Sequence, residues 1–283
     1  MHKILEPIVT FLFKIAAAIV FLALVGVIYA MVSEGFPGLR EIGVWNFLSG
    51  TKWQPTNQVY GIFPMILASL GVTFGAIFLG VPTGLLVAIF INEILARRFR
   101  IYLIGLINLM AAIPSVVYGF WGVAVIVPYI AKIQLPGNSM LAAILVVSLM
   151  ILPTMISLTL NGLRSVSADE KAASLALGES RMLTVWRVCI PRIRVTLQAA
   201  VILAFGRAIG EATAVVLVAG NHVQIPRSIF NSVRTLTANT VMEMGYATGL
   251  HRQALMATGL VLFIFIILAN LLLTMLMHVK KEK

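Results

Sequence analysis

Arg207 and Glu211 lie four residues apart inside an apolar run, RAIGEATAVVLVAG. On a continuous helix that spacing puts both side chains on one face, within reach of each other. An ionisable group at the bilayer centre costs about 2.5–3.5 kcal/mol on insertion scales, so such a residue is a functional candidate by default. A guanidinium offers a rigid fork of donors that matches an oxyanion. On one reading Arg207 passes such an anion, and Glu211 neutralises it while the site is empty. On the other, the two form a permanent ion pair that locks their helix into a bundle. Ser115, Thr213 and Asn108 would add neutral hydrogen bonds to an oxyanion, or join one helix to the next. Glu93 reads as an interfacial charge, and His222 and His251 lack metal-ligand spacing. The single cysteine, Cys189, allows neither an internal disulfide nor a cysteine metal site. No nucleophile–base pair or metal motif argues for an enzyme.

The elements that carry these residues are membrane spans. Of 283 residues, 60% are hydrophobic and 11% charged, and mean hydropathy is +1.01. Soluble domains run about 45–50% apolar and about 25% charged, so the surplus faces lipid. Six apolar stretches are long enough to cross as helices: about Ile8–Val32, Ile62–Ile91, Ile101–Ile130, Met140–Leu160, Leu197–Ala219 and Ala254–Met277. The expected fold is all-α, a single polytopic membrane domain over 1–283 with a long connecting loop at about 161–196. The first stretch is too long for a signal h-region and lacks a cleavage site, so it reads as a retained span.

The net charge of +11 belongs to loops and not to a nucleic-acid surface, since no basic patch is interleaved with exposed aromatics. With the N-terminus cytoplasmic, the inner segments hold fourteen Lys and Arg and the outer loops six. That sets N-in, C-in. In the outer loops Trp45, Trp53 and Tyr60 suit the interfacial aromatic belt, and 228–241 is a candidate short helix or re-entrant piece. Gly71, Gly75, Gly80 and Gly84 form two small-x-x-x-small pairs in the second span, a pattern for close helix packing in preference to a gating hinge.

The 161–196 loop has its own helical grammar. Ser167 and Glu170 form a capping box ahead of a small-faced helix with Ala172, Ala173 and Ala176. Gly178 breaks it, Ser180 caps a second short helix over 181–189, and Pro191 ends that helix and opens the fifth span. Two short helices joined at a glycine make a docking knob for another protein, or a charged connector lying on lipid.

The spacing resembles the EAA motif of ABC-importer permeases. Gly178 and Pro191 keep the motif's separation, Val188 and Ile190 stand at its two apolar positions, and Ala173 and Ser174 at its two small ones. Ala172 replaces the glutamate. The resemblance extends further. AIPSVVYG over 112–119, RAIGEATAVVLVAGN over 207–221, LHRQALMATGLVLF over 250–263 and the GT-x-W-x-P core after Leu48 are similar to segments of phosphate permeases of the PstC type.

That resemblance implies six helices in the MetI-like arrangement and alternating access driven by a separate ATPase. A cytoplasmic ATPase dimer would hold the ATP; this chain has no phosphate loop and no cofactor of its own. The other implied partners are a second homologous permease, giving a heterodimer, and an extracytoplasmic phosphate-binding protein. The location is a prokaryotic inner membrane, among lipid and away from nucleic acid. Arg207, Glu211, Ser115 and Thr213 are the expected substrate pathway. Ala172, Ala173, Ser174, Gly178 and Pro191 are the expected ATPase-coupling loop. A sulfate or molybdate permease is the near alternative, and an ion-coupled secondary transporter the distant one.

Overall fold

The computed structural model describes the backbone of residues 2–279 and the side chains of residues 9–275. The charges of Lys3, Lys280, Lys281 and Lys283, which enter the orientation count, lie outside the described side chains. Among the described residues the regular elements are helices and one two-stranded hairpin, and the longest irregular stretch runs from 219 to 235.

The first helix, α1 (His2–Ile42), is followed by α2 (Val44–Ser49) and the antiparallel strands β1 (Trp53–Gln54) and β2 (Val59–Tyr60). Next come α3 (Phe63–Ile94, its last turn π-wound), α4 (Arg97–Ala112), α5 (Ser115–Ala131) and α6 (Met140–Ser165). The loop helices are α7 (Ala168–Ala176) and α8 (Arg181–Arg192). The chain ends with α9 (Arg194–Gly210), α10 (Thr213–Val218), α11 (Leu236–Glu243) and α12 (Gly249–Val279). Four helices cross as single pieces. Two bent pairs, α4 with α5 and α8 with α9, bring the number of candidate crossings to six.

The centre is the contact of α3 with α6. A Cβ on Gly71, Gly75, Gly80 or Gly84 would come within 2.8 Å of Met140, Ile144, Ile151 or Met155 respectively. All four glycines thus face α6, where lipid gives no hydrophobic drive and close backbone approach supplies the attraction. The residue numbers rise together, so α3 and α6 run parallel. The segment between them must therefore return across the bundle, and α4 with α5 does so despite a 98° bend.

Three expectations change. The first helix does not stop near Val32 but runs to Ile42. Gly35 and Gly38 lie against the backbone of Ala257 and against Gln253 of α12, and Arg252 Nε donates to Glu34 Oε2 at 2.8 Å. This packing carries the helix through a stretch that otherwise reads as loop. The third apolar stretch is not straight, because Pro114 forces Ile113 into extended backbone. The fifth, 197–219, is two helices separated at Glu211 and Ala212.

The glycine contact yields a test. Gly80→Ala sets a methyl 2.6 Å from Ile151 Cδ1, and overpacking of this kind costs about 1–3 kcal/mol. Thermal unfolding in detergent should fall for Gly80→Ala. Ile151→Ala in the same chain should recover part of the loss, and strictly additive effects of the two changes would contradict this packing.

Candidate functional site

The break at Pro114, between α4 and α5, and the break at Glu211, between α9 and α10, lie together. Gly119 of α5 faces Ala214 and Leu217 of α10, and Gly122 faces Val218. The order of these contacts makes α5 and α10 parallel, so their first residues, Ser115 and Thr213, stand at the same end. Ser115 is half-buried and Thr213 exposed.

Each break draws side-chain partners for its backbone from nearby. Pro114 has no N–H for the Met110 carbonyl, and Tyr118 Oη donates to that carbonyl at 2.8 Å. At the second break Glu211 turns to extended backbone (φ −71°, ψ 123°). Its Oε1 accepts from the Ala214 N–H at 3.0 Å, and Thr237 Oγ1 donates to its carbonyl at 2.9 Å. Non-helical backbone at membrane depth persists only where protein supplies such partners.

The expected pairing of Arg207 with Glu211 is therefore not found. Four-residue spacing joins two side chains only if the helix continues, and this one ends at Gly210. Glu211 is spent on the start of α10. Arg207, half-buried near the end of α9, makes no hydrogen bond or ion pair among the described residues. Asn108 lies in the middle of α4, on the far side of the 98° bend from Ser115.

The loop knob forms as the sequence indicates, with two corrections. Ser167 Oγ accepts from the Glu170 N–H at 3.2 Å, Gly178 takes φ +87°, and Ser180 Oγ accepts from the Leu183 N–H at 3.3 Å. Glu170, however, does not return the capping-box bond; its Oε1 lies 3.4 Å from Arg192 Nε. Nor does Pro191 end the second helix. A π-turn over Val185–Cys189 accommodates the ring, and the chain bends 74° after it, at Ile193. Ser174 is buried, sharing a 2.9 Å hydrogen bond with Thr184 and donating to Glu179 Oε2 at 2.9 Å. It clamps the two helices across Gly178. Ala172, Ala173 and Pro191 are exposed, and Leu177 beside Gly178 is 86% exposed. Ala173, Leu177, Val188 and Arg192 line a groove between α7 and α8.

Sequence reasoning missed a third cluster, at the end of the bundle opposite this knob. Glu243 is buried and accepts from Arg234 Nη1 at 2.6 Å and from Trp53 Nε1 at 2.8 Å. His251 Nε2 lies 2.9 Å from Oε2, the oxygen that also accepts from Trp53. Trp53 and Tyr60 are thus buried partners and not belt residues, while Trp45 is 78% exposed. Burial pushes the Tyr60 hydroxyl above its ordinary range, and the charges of Glu243 and Glu41 add to the shift. The only signal in the sequence was a lone acid in a neutral segment; its partners lie as far as 190 residues away. Among the described residues no group of three His, Cys, Asp or Glu is poised for a metal.

Removing one member of a nearly buried charge pair costs about 3–5 kcal/mol. Glu243→Gln should therefore lower the unfolding temperature clearly, and His251→Gln much less; equal small effects would show that this end does not depend on the Arg234–Glu243 pair.

Solved chains of this shape come from ABC transporters. A chain of a bacterial ABC transporter that imports the acidic polysaccharide alginate superposes with a TM-score of 0.67, at 14% identity and 95% coverage of both chains. A chain of the MetNI methionine ABC transporter superposes at 0.55, with 17% identity, covering 77% of this chain and 94% of that one. In sequence, the "Probable ABC transporter permease protein YqgH" of Bacillus subtilis is 39% identical over 236 residues, 80% of this chain and 76% of the relative. The phosphate transport system permease protein PstC of Mesorhizobium japonicum is 30% identical over 90% of this chain and 85% of its own. That of Haemophilus influenzae is 29% identical over 93% and 91%. The family model for binding-protein-dependent transport system inner membrane components matches residues 80–279, a range that holds both helix breaks and the whole loop knob, and the chain belongs to that family of ABC-importer permeases.

Proposed function

We propose that this permease subunit passes inorganic phosphate inward across a prokaryotic cell membrane. The observation that carries the reading is Arg207, a half-buried guanidinium beside a helix break with no carboxylate to neutralise it among the described residues. A cation so held within an apolar segment attracts an anion, and its donor fork matches phosphate oxygens. Ser115 and Thr213 would add hydroxyls at the shared end of α5 and α10. Glu211 contributes by holding the break open, since its carboxylate starts α10. The PstC names of relatives that span most of this chain support phosphate.

Both termini would be cytoplasmic, as the fourteen-to-six charge bias supports. The knob of α7 and α8, with Ala172, Ala173, Ser174, Gly178 and Pro191, would then face an ATPase dimer. Its exposed Leu177 is a surface a partner would cover. ATP bound by that dimer would move the knob in this chain and in a second, homologous permease. A phosphate-binding protein would dock at the opposite end, above the Glu243 cluster.

The test is ATP-driven uptake of radiolabelled phosphate in liposomes holding the full complex, with sulfate and molybdate as competitors. Loss of one charge-assisted contact corresponds to about tenfold or more, so Arg207→Ala should lower phosphate uptake by at least that factor. Uptake that survives Arg207→Ala would make the arginine structural. Preference for sulfate or molybdate would overturn phosphate as the substrate. In the same system Leu177→Asp should release the ATPase while leaving membrane insertion intact, read by co-purification.

A further inference from the structure

Lys171 Nζ lies 2.9 Å from Glu93 Oε1, and the two side chains are only 26% and 19% exposed. Asn92 Nδ2 donates to the same oxygen at 2.7 Å and holds the carboxylate in place. Lys171 sits on α7, next to the small residues of the knob. Glu93 sits 78 residues earlier in sequence, on the π-wound last turn of α3. An inserted π-turn redirects the side chains beyond it, and such turns recur at functional positions.

We infer that the Lys171–Glu93 ion pair is the link that carries displacement of the knob into α3, a role that rests on the knob being the ATPase-docking element. The chain itself joins the knob to the candidate pathway through α8 and the 74° bend at Ile193 into α9, and joins the other end of the knob to α6. The ion pair adds a direct contact to α3, a helix the knob does not adjoin in sequence. From its inner end, α3 leads back to the same place. Its four glycines lock it to α6, and the ring of Phe74 lies 6.3 Å from that of Phe205, two residues from Arg207. Motion of α7 would thus reach α9 by covalent connection from one side and through α3 from the other. Without the pair, displacement of α7 would reach α8 and α9 directly but α3 only by way of α6. The ATPase would still dock and hydrolyse, but the two walls of the pathway would no longer move in step.

The readout is the number of phosphate ions taken up per ATP hydrolysed by the reconstituted complex. It is compared for the parent, Glu93→Lys, Lys171→Glu and the charge-swapped double variant. A partly exposed pair of this kind transmits a modest coupling energy, so each single reversal should lower the ratio by about threefold while hydrolysis continues. The swapped pair should restore it. A ratio unchanged in both single variants overturns the link. So does a ratio that falls in the singles and stays low in the swap, which would assign the residues to fold support. Absence of ATP-driven phosphate uptake in the parent would instead refute the proposed function, and the link with it.

Discussion

Everything in this molecule is arranged around the contact of α3 with α6. In lipid an apolar side chain gains nothing by leaving its solvent for another helix, so association depends on close packing and on hydrogen bonds. Four glycines on one face of α3 let the side chains of Met140, Ile144, Ile151 and Met155 seat against its backbone. This seam is stiff because dense contacts tolerate little change in volume. Segments that depart from regular helix can be held against it without dispersing the bundle.

Two such departures meet beside the seam, and each is resolved with local chemistry. A proline denies the Met110 carbonyl its helical N–H, and a tyrosine hydroxyl donates to that carbonyl instead. A glutamate abandons the helix it would have continued and caps the next one, while a threonine from a distant segment satisfies its carbonyl. Each break thus gains side-chain partners for its backbone, and the charge of Arg207 stands without a carboxylate among the described residues. Had α9 continued by one more turn, Glu211 would have come around to Arg207 and cancelled it. The break keeps that positive charge available to a mobile anion.

Much of this was legible in the sequence, wherever the relevant physics is local. Apolar stretches gave six candidate crossings, the glycine spacing named the packing face of α3, and Ser167, Gly178 and Ser180 marked the ends of the knob helices. What escaped was non-local. Four-residue spacing at 207 and 211 implied a pair only on the premise of an unbroken helix, and Thr237, which stabilises the break, lies 26 residues away. The extension of α1 through a Gly-Phe-Pro-Gly stretch depends on α12, more than two hundred residues later. Burial of Trp53 and Tyr60 depends on Glu243 and His251, so composition alone placed them at the lipid boundary. Lys171 and Glu93 were visible as charges and invisible as neighbours.

The pairing of α1 with α12 also bears on how the protein is made. Gly35 and Gly38 meet Ala257 and Gln253, so α1 finds this partner in a helix made more than two hundred residues later. Synthesis proceeds from the N-terminus at about 5–20 residues per second, so α1 waits in the bilayer while five further segments are inserted. During that interval its wide apolar surface is in contact with lipid or with the insertion machinery, and its Glu34 has no Arg252. This seam therefore closes late in biogenesis, and a chain truncated before α12 would leave α1 as an orphaned helix for membrane quality control to recognise.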